Sequence, residues 1–202
     1  MKRRKFLIAG GMAAASAHAA VVKRELPQVD LSFISGKLDF HRRTEWTDQE
    51  VKSWRMRGVG EVDRLTIHHS GGTVSAQTEE DSVKNALQGI LAGHTQKGYG
   101  DVGYHLMIDY AGRVWEGRSL AYEGAHVKNQ NDQNIGVMLL GNFQNQAPSE
   151  KQLESMNVLI GLLRKQYRIK RHRIYGHRDL GSSACPGIQL YSYLKKIKEG
   201  KI

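Results

Sequence analysis

Cysteine occurs once in the 202 residues, at position 185. A single thiol excludes an internal disulfide, so the fold rests on its core rather than on covalent staples. The closely spaced Cys-x-x-Cys of a structural zinc finger is absent as well. No His-Glu-x-x-His run occurs, which removes the zincin helix and its ready glutamate base. No apolar stretch reaches the roughly 18 residues needed for a membrane-spanning helix. Repeats and low-complexity tracts are missing, which excludes solenoids and biased segments. Acidic residues fail locally: none stands between Ser155 and Arg178, while Arg164 to Arg173 carries six Lys/Arg and His172. That stretch is either a solvated helix end and turn or a patch attracted to an anionic polymer such as a cell wall. No nucleic-acid motif accompanies it, so nucleic acid is not an expected partner.

What is present fits one globular domain. Hydrophobic residues make up 40% and charged residues 25% of the chain, ordinary for a soluble protein with a real core. The first 19 residues read as an export signal. Lys2-Arg3-Arg4-Lys5 is a positive n-region, Phe6 to Ala17 a short apolar stretch, and Ala17-His18-Ala19 an A-x-A cleavage site. The paired arginines before Lys5-Phe6-Leu7 resemble a twin-arginine signal. Lys2 stands where a serine often precedes them, so Sec export is the alternative. Cleavage removes four Lys/Arg and leaves 26 against 20, a mature charge of +6. The expected location is periplasmic or extracellular, where a lone thiol is a liability unless something such as a metal holds it.

Residues 20–60 read as irregular and extended, apart from a short helix over Thr47 to Arg57 opened by a Thr47/Glu50 capping box. Leu65 to His69 is a strand stopped by Ser70-Gly71-Gly72. Its alternation puts Leu65, Ile67 and His69 on one face and Thr66 and His68 on the other. Thr78 to His94 has helical apolar spacing. Tyr104 to Ile108 and Arg113 to Glu116 form an edge hairpin about Asp109-Tyr-Ala-Gly112. Ile135 to Leu140 is a central strand buried on both faces. Ser149-x-x-Gln152 caps a helix to about Tyr167. Ile174-Tyr175 is a short strand, and Ile188 to Lys198 a last helix. The fold class is mixed α/β, a central sheet flanked by helices. The expected division is an export signal over 1–19, a segment over 20–40 and one domain over 41–202.

Two regions carry chemistry. His68-His69 closes a strand, and His177 precedes Cys185 by eight residues. Two imidazoles and one thiolate, with a fourth position for water, form the open arrangement of catalytic zinc sites. The alternatives are a hydrogen-bonded strand-end histidine and an inert buried thiol. Glu116 is read as a hairpin residue rather than a proton carrier.

These segments resemble the zinc-dependent N-acetylmuramoyl-L-alanine amidases, the class that includes peptidoglycan-recognition proteins and amidase-type phage lysozymes. The resemblance covers about residues 41 to 195. It rests on Arg43-Thr-Glu45-Trp46, Ile67-His68-His69-Ser70, Asp101-Val-Gly-Tyr104-His105-Leu and Gly112-Arg-Val-Trp-Glu116-Gly117-Arg118. Gly124-Ala125-His126, Asn134-Ile135-Gly136-Val137, Tyr175-Gly176-His177-Arg178-Asp179 and Ser183-Ala-Cys185-Pro186-Gly187 follow in the family's order. The resemblance implies Zn2+ held by His68, His177 and Cys185. It implies Tyr104 and Ser183 as catalytic helpers, Ser183 replacing the family's Thr or Lys. It places His126 and Asn134 on the substrate side. It further implies cleavage of the amide bond between N-acetylmuramic acid and L-alanine, with peptidoglycan as partner and a monomeric enzyme. A non-catalytic peptidoglycan-binding module on the same fold is the alternative. Relatives that only bind lack the cysteine ligand, and intracellular relatives use a carboxylate in its place. A phage endolysin is a third reading, which the export signal opposes.

Overall fold

The structure, a computed structural model, describes residues 29–73 and 76–202. The export-signal expectation lies outside the described residues. Among the described residues six strands form one sheet, in the order β1 (Phe40–His41), β4 (Val114–Glu116), β3 (Leu106–Ile108), β5 (Asn134–Leu139), β2 (Arg64–His69) and β6 (Ile174–Gly176). Its centre is β2 (Arg64–His69) paired in parallel with β5 (Asn134–Leu139), from Arg64 opposite Asn134 to His69 opposite Leu139. All six residues of β5 are buried, as the unbroken apolar run requires of a strand covered on both faces. β3 (Leu106–Ile108) continues the sheet on one side, and β6 (Ile174–Gly176) closes it on the other.

The two faces differ. Leu65, Ile67, Ile135, Val137 and Leu139 join one large cluster with Met156, Leu159, Ile160 and Leu163 of α3 (Glu150–Tyr167) and Leu190, Leu194 and Ile197 of α4 (Ile188–Lys198). The opposite face packs Met107, Trp115 and Met138 against Val83, Leu87 and Leu91 of α2 (Glu80–Gln96). Two helices plus α1 (Ser32–Ser35) cover the first face. On the second face α2 packs over the β3/β4/β5 side, and the polar side of β2 becomes the floor of the site.

The capping box at Ser149 forms as expected. Its hydroxyl accepts from the Gln152 amide at 3.0 Å, and the Gln152 side chain accepts from the Ser149 amide at 3.1 Å. The hairpin turns at Asp109, whose carboxylate accepts from the amides of Ala111 and Arg113.

Two expectations are corrected. No helix spans Thr47 to Arg57; single 3₁₀ turns occupy Arg43–Glu45 and Ser53–Arg55. The Thr47 hydroxyl accepts from the amide two residues on, Gln49, at 3.1 Å, a local turn that competes with helix capping. Long-range bonds then hold the segment open: Lys52 N–H to the Gly100 carbonyl at 2.9 Å, and the buried Trp46 indole to the Glu116 carbonyl at 2.7 Å. The hairpin is also not the sheet's edge. β1 (Phe40–His41) pairs in parallel with β4 (Val114–Glu116) outside it. Leu31 and Ile34 of the preceding turn are buried in the main core, so residues read as irregular contribute packing.

Candidate metal centre and substrate groove

β2 holds His68 on the sheet's second face with no exposed surface. β6 lies beside it, Ile67 opposite Gly176, so the chain leaving β6 delivers His177 against His68. Their ring centroids are 4.9 Å apart. The loop back to Cys185 is pinned at both ends. Arg178 N–H donates to the Cys185 carbonyl at 2.9 Å, and Cys185 N–H donates to the Ser183 hydroxyl at 3.1 Å. The Cys185 thiol sits 3.5 Å from His68 Nδ1 and 3.4 Å from the His69 amide.

The donor atoms of His68, His177 and Cys185 lie within 4.8 Å of one another. Tetrahedral zinc, with Zn–S about 2.3 Å and Zn–N about 2.05 Å, demands an S···N separation of about 3.6 Å. The Cys185–His68 pair already meets it. The two separations that involve His177 are no more than 4.8 Å. Two nitrogens and a soft sulfur suit zinc, and three protein donors leave one position open.

A chain of imidazoles fixes which nitrogen of His68 faces the thiol. His126 Nε2 lies 3.2 Å from the Asn134 carbonyl, which can only accept, so Nε2 carries the proton. His126 Nδ1 is then an acceptor for a neutral ring, and it lies 3.0 Å from His68 Nε2. His68 Nε2 must donate, leaving the Nδ1 lone pair directed at the Cys185 side. Burial pushes both imidazoles far below their ordinary range, and the neighbouring rings push the same way. Neutral rings are the metal-binding form.

Two glycines make room for this. A Cβ on Gly124 would stand 2.4 Å from His126 Cδ2, and one on Gly136 would stand 2.5 Å from it. His105, on the same polar layer, is fixed likewise. Its Nδ1 accepts from the Gly136 amide at 2.9 Å and its Nε2 donates to the Tyr122 carbonyl at 3.0 Å.

The substrate-side expectations change. Asn134 is fully buried; its amide oxygen accepts from Thr66 at 3.0 Å and its NH₂ donates to the Gln130 carbonyl at 2.7 Å. Both polar atoms of that side chain are engaged within the protein. His126 is 7% exposed with both ring nitrogens engaged within the protein, so it faces the His68 side chain rather than an open groove. Glu116 lies away from the centre, accepting from the Arg43 amide at 3.2 Å.

Tyr104 borders the centre, its ring 5.1 Å from His68. Burial, with Cys185 nearby, holds its phenol above the ordinary range, so the hydroxyl keeps its proton and donates. Burial pushes the Cys185 thiol up to about 12, against the pull of the His69 amide and Arg178. A metal must therefore displace that proton. Tyr104 lines a hollow of about 190 Å³ with Ser70, Ile90, His94 and Lys97. It continues across Ser70 and Ile90 into a second hollow of about 310 Å³ bounded by Tyr110 and Leu140. Sequence reasoning does not single out His94; its position one helical turn after Ile90 is the available signal. Its Nδ1 accepts from the Gly103 amide at 2.9 Å, and burial depresses it to about 4. Asn131 is missed too; its side chain accepts from the His126 and Val127 amides at 2.9 and 2.7 Å.

Comparison with known proteins agrees with this architecture. The profile of the N-acetylmuramoyl-L-alanine amidase family matches residues 58–188, and the chain belongs to that family. It is 30% identical to peptidoglycan-recognition protein SC2 of Drosophila melanogaster, over 76% of this chain and 83% of that one. The ectodomain complex of peptidoglycan recognition proteins LCa and LCx, solved with tracheal cytotoxin, superposes with a TM-score of 0.69. That match has 28% identity and covers 79% of this chain and 96% of that one. The amidase LysC of Clostridium intestinale shares the fold, with a TM-score of 0.65 and 22% identity over 80% and 97% of the two chains.

Proposed function

We propose that this chain is an exported zinc amidase that cuts peptidoglycan between N-acetylmuramic acid and L-alanine. The observation that carries the reading is the meeting of Cys185 with His68 and His177 beside a protonated Tyr104. Membership of the amidase family supports it. His68 Nδ1, His177 and Cys185 Sγ would hold the metal. Bound zinc supplies a nucleophilic water near neutral pH and polarises the amide carbonyl. The Tyr104 hydroxyl donates to the oxygen on which tetrahedral charge develops, a contribution typically worth about 10²–10³ in rate. Ser183 keeps the Cys185 loop in place through its oxygen, and its own proton is free to donate. The groove from His94 past Ser70 to Tyr110 receives the stem peptide. His126 positions His68 and does not touch substrate.

The competing reading, a peptidoglycan-binding module without turnover, is favoured by the peptidoglycan-recognition relatives. Digestion of purified peptidoglycan, with and without chelator, separates the two. Stem peptides beginning with L-alanine, lost on chelation and restored by zinc, are expected by mass spectrometry. Retention on the wall with no released peptide, from protein shown to hold zinc, would establish the binding module instead.

A further inference from the structure

The charge of this chain is split along its sequence. Residues 29–154 hold 13 Lys/Arg against 17 Asp/Glu, net −4; residues 155–202 hold 11 against 2, net +9. The fold gathers that excess. The C-terminal ends of α3 and α4 meet at the 3₁₀ turn Arg171–Arg173, where the Arg171 guanidinium donates to the Ile197 carbonyl at 2.8 Å. Both helices lie on the face turned away from His68.

Most acids in this region are already paired, the exception being exposed Glu61, which lines one hollow with Arg168 and Lys170. Asp179 holds Lys198 at 3.0 Å, Glu199 holds Lys201 at 2.7 Å, and Asp63 across the boundary holds Arg173. Lys165, Arg168, Lys170, Lys195 and Lys196 are exposed, with no carboxylate of the described residues in salt-bridge reach. Cations in a helix's last turn complement its dipole, which accounts for Lys165, Lys195 and Lys196 singly. It extends to Arg168, the C-cap of α3, but does not account for Lys170, nor for five cations without an ion-pair partner on the converging ends of two helices and the turn between them against their mutual repulsion.

We propose that this face binds a phosphate-bearing anionic polymer by charge, separately from the groove. A polymer is favoured over a lipid surface because the apolar side of α4, Leu190, Leu194 and Ile197, is buried in the core. A helix lying in a membrane needs that side free. The eleven residues of α4 set its basic end about 16 Å from its start beside Cys185, so both surfaces can be occupied together.

The test uses the full chain with long-chain inorganic polyphosphate, across a salt series. The K165Q/K170Q/K196Q variant is compared with R55Q/R57Q/K128Q, an equal charge change at exposed residues outside α1, α3 and α4. Patch substitution should weaken binding at least tenfold near 0.1 M salt and lower the log–log salt slope by about 2. The control should stay within about twofold, with zinc content unchanged in both. Equal losses in the two variants, or no binding by the parent, would overturn the proposal. Binding to vesicles rich in phosphatidylglycerol that polyphosphate does not compete would also overturn it, in favour of a membrane surface. None of these readouts depends on amide hydrolysis, so the amidase reading can fail without affecting them.

Discussion

Glycine at positions 124 and 136 leaves the volume in which the His126 ring stands, and a methyl group at either would collide with it. Gly136→Ala should displace His126, release the Nε2 proton of His68 from its acceptor and weaken zinc binding. His126→Ala should do the same without the clash. Loss of such an outer partner typically costs about 10–100-fold in metal affinity, which competition with a zinc chelator will measure; unchanged affinity in a folded His126→Ala protein would refute the relay. Cys185→Ser should abolish stoichiometric zinc binding. Tyr104→Phe should retain zinc while kcat falls about 10²–10³-fold. The candidate ligands and Tyr104 are legible because each sits in a short motif with few alternative readings. The internal partners of Asn134 and His126 are not legible, because they depend on what lies across the sheet. The partners of Asn134 are Thr66 on the adjacent strand and Gln130 in the loop before it, and His126 answers to a ring on β2.

Secondary elements with their own local signals are readable. The Ser149/Gln152 box sits at the start of α3 as the pattern requires. Ser149→Ala should lower stability by about 1 kcal/mol, read as a shift in the denaturant midpoint with unchanged slope. Its hydroxyl also donates to the Tyr110 carbonyl at 2.7 Å, tying the helix start to the hairpin turn. The buried β5 run and the α2 periodicity are equally plain. Thr47 carries the same kind of signal as Ser149 and fails, since no apolar periodicity follows it to reward a helix, and Trp46 is anchored elsewhere. β1 is two residues long and has no period to read; only its pairing with β4 defines it.

Across the whole molecule, burial of neutral histidines makes stability depend on pH. His105 is depressed by burial to about 4, below the ordinary 6.5 or so of an unfolded chain. The unfolded state binds the proton first. This contribution is complete above pH 6.5 and is lost as pH falls toward about 4, roughly 3 kcal/mol from His105 alone. His68 and His126 add the same sign. Urea unfolding followed from pH 7 to 4 should show falling stability, and His105→Gln should flatten the curve over that window. The mixed α/β class is legible from the alternation of patterns. The meeting of the basic ends of α3 and α4 is not, because only the packing of the two helices against the 3₁₀ turn brings them together.

The position of β6 at the sheet's rim has a consequence in time. His68 enters with the central strand, whereas His177 and Cys185 arrive with the outermost strand and the loop that follows it. A chain still being made holds His68 alone of the three candidate donors until residue 177 has been added. On the zinc reading proposed above, metal uptake waits for β6 and its following loop to be in place, and an occupied centre would mark a finished molecule.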